Sequence, residues 1–299
     1  MDIEILEMEE RRAKFILRNS SPAMANALRR TLLADIPKMA IDKVEFHLGT
    51  IMEGEKEYES TTPLFDEIIA HRLGMVPVPT DLDLFVPQSE CVCGGRGCPS
   101  CSIMYSLNKH GPCTVLSGDM IPLGNPDLKV KDEFIPIVEL TDGQAIMIYA
   151  TAVMGTADKH VKWQVCNGVG YSYHPKIEIN PEKADDEYVM KAASVCPKHV
   201  LTTENGRLEV VDAIPCNLCM SCVECVGEAP GLKIVADGNG RKVVPDDKND
   251  AVFSVKGDDT SFVFKFETDG SLTARQALDK AVEILAAEAK DFGDQVAAL

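Results

Sequence analysis

The sequence predicts an α+β fold, and three observations lead to it. Apolar residues recur at helical spacing near both ends of the chain, in "NSSPAMANALRRTLLADIPKM" and in "SLTARQALDKAVEILAAEAKDFG". Between these predicted helices lie many short β-like runs separated by prolines, above all in residues 75–150. Eight of the 11 cysteines fall into two tight groups, which predict two metal-binding segments within the β-rich chain.

Composition excludes several classes of function. A chain of 299 residues is long enough for about two domains. Its formal net charge of −17 argues against direct binding to a nucleic-acid backbone, because that affinity comes mainly from Lys and Arg. The N-terminus "MDIEILEMEE" lacks a signal-peptide pattern and no apolar run reaches about 18 residues, so we expect no membrane span and a cytoplasmic location. In that reducing compartment, clustered cysteines indicate metal binding rather than disulfides.

Each predicted helix has its own local signals. The first begins with Ser21 as its cap and Pro22 at its first position, and Pro37 stops it. A second helix is predicted over "TPLFDEIIAHRLG". The last helix carries a stripe that includes Leu278 and Val282, with Ser271 or Thr273 as its cap. This stripe either packs on its own domain or forms a seam for a partner helix, and the pattern alone leaves both open.

The run "CNLCMSCVEC" places Cys216, Cys219, Cys222 and Cys225 at every third position. An iron–sulfur cubane needs four thiolates, and in two-cluster bacterial ferredoxins a remote Cys-Pro completes the set that a C-x2-C-x2-C loop begins. Such a Cys-Pro lies upstream at Cys196. We therefore predict one [4Fe–4S] cluster held by Cys196, Cys216, Cys219 and Cys222, and Cys225 is left without an assigned purpose.

Two alternatives stay open for this run. The four cysteines of the run could hold a zinc ion, or the cluster could take a [3Fe–4S] form with one ligand unused. A second cluster is not predicted, since the positions ten, seven and four residues before Cys196 hold Asp186, Val189 and Ala192.

The other group, "CVCGGRGCPSC", contains Cys91, Cys93, Cys98 and Cys101. The last two have the C-x2-C spacing of a zinc half-site, and the first two supply the remaining thiolates of a closed tetrahedron. Glycines between them permit the tight turns that a metal demands. We predict one structural Zn²⁺ here, with free thiols in a loop as the alternative.

Several segments together resemble the D subunits of archaeal RNA polymerase, in the family of the bacterial α-subunit amino-terminal domain. The resemblance lies in "NALRRTLLADIPKMAIDKVEF" at 26–46, "PLFDEIIAHRLGMVPVP" at 63–79, "DGQAIMIYATAVMGTADKHVKWQV" at 142–165 and the C-terminal helix. With the cysteine run, which is typical of family versions that carry a ferredoxin-like iron–sulfur domain, these segments span almost the whole chain. Their order and spacing make the match stronger than any single motif.

The resemblance implies an α-subunit-like dimerisation domain that is discontinuous in sequence. A β-rich insertion domain and a small ferredoxin-like domain would interrupt it. The implied boundaries are 1–49, 162–180 and 237–299 for the dimerisation domain, 50–161 for the insertion domain with the zinc loop, and 181–236 for the iron–sulfur domain.

The resemblance also implies a function. The family pairs with a smaller α-like subunit, L, and the pair forms the platform for two large catalytic subunits, so DNA would be met only through the complex. The helices at 21–36 and 272–291 would supply this chain's half of the interface through Leu28, Leu32, Leu278, Val282 and Leu285. We expect a non-catalytic scaffold within a nucleotidyltransferase complex. The alternatives are a ferredoxin-like electron-transfer subunit of an oxidoreductase, and a free-standing metal-binding regulator that would form a homodimer.

Overall fold

The computed structural model describes residues 2–53, 56–248 and 250–298 of the chain. The helices in these residues are α1 (Pro22–Ala34), α2 (Asp66–Met75), α3 (Glu187–Val195), α4 (Ser221–Gly227) and α5 (Ala274–Ala297). The strands are β1 (Asp2–Met8), β2 (Arg12–Arg18), β3 (Lys38–Phe46), β4 (Thr50–Glu53), β5 (Lys56–Glu59), β6 (Ser102–His110), β7 (Cys113–Leu116), β8 (Ile121–Pro122), β9 (Pro136–Leu140), β10 (Ala145–Gly155), β11 (Cys166–Ile179), β12 (Leu201–Glu204), β13 (Arg207–Val210), β14 (Leu232–Asp237), β15 (Gly240–Pro245) and β16 (Phe253–Thr268). Helices and strands both occur, as the predicted α+β class requires.

The helix starts follow from local capping chemistry. The Ser21 hydroxyl accepts a hydrogen bond from the backbone N–H of Met24 at 3.3 Å, which satisfies one free donor in the first turn of α1. At α5 the N-cap is Thr273, and it exchanges hydrogen bonds with Gln276 in a capping box. The predictions for both starts are therefore confirmed.

Two helices differ from their predicted extents. Helix α2 begins at Asp66, after the extended residue Phe65, and so omits the predicted first residues from Thr62 onwards. Helix α5 continues to Ala297, beyond the end of the predicted segment at Gly293, because Gly293 lowers helix stability by only about 1 kcal/mol and no proline follows it. No helix in the described residues is long and apolar enough to span a membrane.

The chain divides into two compact units, each built from three separate segments. Unit 1 contains the chain up to Glu7, Lys14–Asn26 and Gly170–Lys265. Unit 2 contains Met8–Ala13, Ala27–Val169 and the chain from Phe266 onwards. The five-part domain division predicted from the family resemblance stays a prediction.

Unit 1 holds most of a six-stranded sheet with the order β1-β2-β16-β15-β14, in which β11 also pairs with β16. Strands β12 and β13 form a separate antiparallel hairpin. Helices α3 and α4 pack together through buried residues such as Val189 and Val223. Their apolar cluster includes Cys196 and Cys222, so the core of this unit reaches the cysteine run. A ferredoxin-like topology for this segment stays a prediction.

Unit 2 is built around a four-stranded sheet with the order β3-β10-β6-β8. Strand β10 is antiparallel to both β3 and β6, with Ile148 opposite Phe46 on one side and opposite Leu107 on the other. Helix α2 packs on β3 and buries Ile69 and Leu73 completely. The β-rich character predicted for residues 75–150 is confirmed, since β6 to β10 lie there or begin there. The first cysteine group lies directly before β6.

Candidate metal centres

The first cysteine group occupies a glycine-rich loop that leads into β6. Gly94, Gly95 and Gly97 have φ values of 65°, 78° and 84°, a left-handed conformation that glycine adopts without steric cost. The Cys98 carbonyl accepts the backbone N–H groups of Cys101 at 2.9 Å and of Ser102 at 3.0 Å. The loop can therefore turn back on itself sharply enough to bring residues 91 and 98 together.

The four thiols of this loop converge on one point. Cys91 Sγ lies 3.4 Å from Cys98 Sγ, Cys93 Sγ lies 3.6 Å from Cys101 Sγ, and the Sγ atoms of Cys98 and Cys101 are 3.8 Å apart. All four sulfur atoms lie within 4.8 Å of one another and all four cysteines are free. Cys91 and Cys101 are buried, while the other two are partly exposed. Together the four side chains could bind a metal ion.

Hydrogen bonds within this group give the thiols of Cys91 and Cys93 very different pKa values. A backbone hydrogen bond from Cys98, followed by one from the Cys91 thiol, lowers the pKa of Cys93 to about 6. The backbone N–H of Cys93 acts to lower the pKa of Cys91, but the hydrogen bonds of the Cys93 and Cys98 thiols outweigh it and raise that pKa to about 12. The Cys93 thiolate is therefore available at neutral pH, and a cation would displace the proton of Cys91.

The second cysteine group is assembled from two parts of unit 1. Cys196 ends α3 as its C-cap residue and is buried at 7% exposure. Cys222 lies in the first turn of α4 and is also 7% exposed, whereas Cys219 lies before α4 and is exposed. Cys216 is partly buried and packs against the same apolar cluster as Cys196 and Cys222. The structure thus brings the remote Cys-Pro to the cysteine run.

The charges of these four thiols interact. Burial, followed by the charge of Cys216, raises the pKa of Cys222 to about 12, and Cys196 and Cys219 add smaller contributions. Burial also raises the pKa of Cys216, with the charges of Cys196 and Cys219 adding to it. Cys225 belongs to a different neighbourhood, since burial raises its pKa and its charged neighbours are Glu228 and Lys191.

The two groups differ in how closely their sulfur atoms approach. Among the described residues, the loop at 91–101 is the one set of three or more potential ligands that all lie within 4.8 Å of one another, so no three of the thiols of Cys196, Cys216, Cys219 and Cys222 are grouped as closely as this.

The backbone of the cysteine run contains two residues in an unfavourable left-handed conformation. Leu218 and Met220 have φ values of 56° and 65°, a left-handed conformation that is uncommon for residues with a side chain. They lie directly before and directly after Cys219. Strain of this kind persists only where the surrounding structure stabilises it, and it concentrates at functional sites.

The five predicted interface residues do not share one environment. Leu28, Leu32 and Leu278 are buried within this chain at 2%, 0% and 5% exposure. Val282 and Leu285 are partly exposed, as expected for a surface that a partner could cover. Their role in an interface stays a prediction.

Two residues at the end of α5 were not among the predicted interface residues. Phe292 is 70% exposed and Val296 is 52% exposed, which is unusual for large apolar side chains on a helix. They continue the stripe of Leu278, Val282 and Leu285 at alternating intervals of three and four residues once Ala289 is included. This spacing was available as a signal, but the interface helix implied by the resemblance ended at residue 291 and the predicted helical segment ended at Gly293.

Comparison with known proteins covers nearly the whole chain. Residues 14–289 match the RNA polymerase Rpb3/Rpb11 dimerisation domain family, whose description includes no iron–sulfur domain. A protein of Thermoplasma volcanium named DNA-directed RNA polymerase subunit Rpo3 is 41% identical over 95% of both chains. Proteins of the same name from Picrophilus torridus and Methanosarcina acetivorans are 40% and 35% identical. The alignment covers 95% of both chains for the former, and 98% of this chain and 97% of the relative for the latter.

The match extends from β2 through most of α5, and it includes both cysteine groups. The relatives align over the same extent at identities well above the level at which only a fold is shared. The chain therefore belongs to the RNA polymerase Rpb3/Rpb11 dimerisation domain family.

Proposed function

We propose that this chain is a non-catalytic assembly subunit of a DNA-directed RNA polymerase. The observation that carries the proposal is the match of residues 14–289 to a dimerisation family of RNA polymerase subunits, with relatives named Rpo3 aligned along the same length. The chain would pair with a smaller Rpb11-like subunit, L, and the pair would form the platform for the two large catalytic subunits of a nucleotidyltransferase complex.

The distal half of α5 supports the pairing. After Ala281 the helix has no buried residue as far as Ala297, yet its apolar stripe continues through Val282, Leu285, Phe292 and Val296. Apolar residues that alternate at three and four along a helix form the contact line between two packed helices. We infer that a helix of the small subunit covers this stripe, while Leu28, Leu32 and Leu278 support it from within the chain.

The scaffold role agrees with the charge of the chain. At a net charge of −17 it would repel a phosphate backbone, so DNA would be held by the large subunits and met by this chain only through the complex. A scaffold subunit acts through the surfaces that it buries against its partners, and it contributes no reacting groups. Its contribution to transcription is thus the arrangement of the subunits that carry the chemistry.

We propose that Cys91, Cys93, Cys98 and Cys101 hold one structural Zn²⁺. A tetrahedron with Zn–S bonds of about 2.3 Å has sulfur–sulfur edges of about 3.8 Å, and the distances of 3.4, 3.6 and 3.8 Å are close to this value. Four protein ligands leave no open coordination position, so the ion would fold the loop and would not activate a substrate.

We propose that Cys196, Cys216, Cys219 and Cys222 hold one iron–sulfur cluster, [4Fe–4S] or, with one ligand unused, [3Fe–4S]. The support is the shared apolar cluster of Cys196, Cys216 and Cys222, the electrostatic interaction between the four thiols, and the left-handed backbone of Leu218 and Met220 on either side of Cys219. Because Cys196 and Cys222 belong to the apolar core of unit 1, ligation would be coupled to the folding of this part of the chain. The cluster would thereby stabilise its segment and tune assembly.

An affinity purification tests the proposed function. The chain is tagged, recovered anaerobically from its own cells, and its partners are identified by mass spectrometry. We expect a small Rpb11-like subunit together with two very large subunits. Recovery of flavin or nicotinamide enzymes instead would contradict the proposal and favour electron transfer. A stable homodimer without other subunits would favour the metal-binding regulator. The relatives support neither of these alternatives.

A further inference from the structure

A cavity of about 500 Å³ lies in unit 1 beside the cysteine run. Strands β2, β11 and β16 line one side of it, and residues 214–217 line the other. Of the cysteines in the second group, Cys216 alone reaches the wall, so the cavity is distinct from the space between the four thiols. A volume of this size is within the range of small-molecule sites, about 300–1,000 Å³.

Side-chain alternation explains how lysines come to face this cavity. The rings of Phe15 and Phe264 stack at 5.0 Å and both are fully buried, so they occupy the core face of adjacent strands β2 and β16. Successive residues of a strand point to opposite faces. Lys14 and Lys265 therefore extend from the other face, where both line the cavity.

A third lysine completes the group. Lys198 follows α3 and lines the same cavity, and we refer to Lys14, Lys198 and Lys265 as the lysine groove. None of the three forms an ion pair within the described residues, and the cavity wall contains no Asp or Glu. In a chain with 47 acidic and 30 basic residues, three unpaired ammonium groups around one cavity concentrate positive potential where the rest of the chain is negative.

We propose that the lysine groove binds a small ligand that carries two or more phosphate groups. Lysine acts toward phosphate as a point charge with three donors, and three such charges match a ligand whose negative charge is multiple and compact. The Ser172 hydroxyl and the Asn217 amide in the wall offer further donors. An acidic peptide spreads its charge along an extended chain, so it fits a cavity of this volume less well.

The same ligand chemistry has two sources, a free nucleotide or pyrophosphate and the backbone of a nucleic acid. Isothermal titration calorimetry of the full chain, with its bound metals retained, tests the groove with pyrophosphate as the first probe at low salt. We expect saturable binding of one equivalent. ATP and a short single-stranded oligonucleotide, titrated in parallel, distinguish a free ligand from a polymer.

Charge-removing variants test the assignment to the groove. We expect Lys14→Gln, Lys198→Gln and Lys265→Gln each to weaken pyrophosphate binding by about tenfold, the effect of losing one charge-assisted contact. Lys183→Gln is the matched control, since Lys183 is an exposed lysine of the same unit with no ion pair in the described residues and lies outside the cavity wall. It should bind pyrophosphate like the unmodified chain.

A steric variant separates the cavity from the charges. Gly170 lines the groove, its φ lies outside the left-handed region, and a Cβ added there would meet no atom within 4 Å. Gly170→Val should therefore fold normally, with unchanged iron content and thermal unfolding, yet bind pyrophosphate less tightly because the added side chain occupies the groove.

Four results would overturn the proposal. Pyrophosphate could show no saturable binding, or its binding could persist in the triple lysine variant. Binding of poly-glutamate but not pyrophosphate would make the groove a contact for an acidic protein segment. If the lysine variants lost iron and the unmodified chain did not bind pyrophosphate, the role of the lysines would be to offset the negative charge of the thiolates in the cysteine run.

Discussion

Lys38 and Asp269 form a buried ion pair although 231 residues separate them in the chain. Their side chains are 4% and 12% exposed. Lys38 Nζ also donates to the carbonyl oxygen of Gln164 at 3.3 Å, and the Asp269 carboxylate accepts from both the N–H and the hydroxyl of Ser271. Three distant segments of unit 2 are thus joined at one satisfied pair of charges.

Removing one partner of this pair should destabilise the chain strongly. Lys38→Met leaves the Asp269 carboxylate buried without its counter-charge, and we expect the free energy of unfolding in urea to fall by about 3–5 kcal/mol. Lys43→Met is the control, since Lys43 pairs with Glu45 while both side chains are more than half exposed, and it should cost about 1 kcal/mol or less. Equal changes in the free energy of unfolding for the two variants would show that the buried pair contributes no more to stability than the exposed pair.

A second stability prediction concerns the single tryptophan. Trp163 donates its indole N–H to the carbonyl of Val153 at 3.0 Å, and its ring packs on Gly155 so closely that an added Cβ would lie 2.6 Å from Cε2. Gly155→Ala should therefore cost about 1–3 kcal/mol through overpacking and shift the tryptophan fluorescence. Gly170→Ala, where a Cβ meets no atom within 4 Å, should have little effect on either measurement.

Zinc content tests the first cysteine group. Cys98→Ser should lose about one equivalent of zinc per chain by elemental analysis, because a closed four-thiolate site loses a ligand. Cys113→Ser should retain the zinc, since Cys113 lies outside the loop and donates to the His110 carbonyl at 3.2 Å. Retention of zinc in Cys98→Ser would contradict the assignment.

The same site should respond to pH in a defined direction. The pKa of Cys91 is raised to about 12 and that of Cys101 is raised mainly by burial, so both are protonated at neutral pH in the absence of metal. Metal binding must release these protons, and apparent affinity should fall as pH falls. Competition with a chromophoric chelator between pH 8 and pH 6 measures this, and an affinity independent of pH would argue against thiolate ligation.

Iron and sulfide analysis separates Cys225 from its neighbours. Cys216→Ser should lower the iron and sulfide content of anaerobically prepared protein and destabilise unit 1, because Cys216 packs on the apolar cluster that holds Cys196 and Cys222. Cys225→Ser should retain both, since the charged neighbours of Cys225 are Glu228 and Lys191. Zinc without sulfide in the unmodified protein would refute the cluster altogether.

The exposed stripe of α5 predicts a selective loss of assembly. Phe292→Asp should weaken copurification of the small subunit by at least about tenfold, because a charge replaces a large apolar contact. The thermal unfolding of the isolated chain should not change, as Phe292 is 70% exposed in it. Asp294→Asn, on the same turn, is the control, and normal assembly of Phe292→Asp would exclude the distal half of α5 from the interface.

The features that could be predicted from the sequence are those that depend on residues close together in the chain. The start of α1 at Pro22 and the capping box at Thr273 depend on side chains within a few residues of each other, so a short stretch specifies them. Convergence of the first four cysteines was likewise predictable, since only seven residues separate Cys91 from Cys98. The end of α5 was not, because the weak helix propensity of Gly293 resembles a stop signal.

The sequence by itself determined the family, the two amphipathic helices and the spacing of the clustered cysteines, because each depends on residue identity and local period. Only the tertiary structure decided that Lys38 meets Asp269, that Phe292 and Val296 stay exposed, and that Lys14, Lys198 and Lys265 surround one cavity. The physical reason is distance along the chain. Contacts between residues far apart in sequence form only when packed elements close the loops between them, and no short pattern encodes that closure.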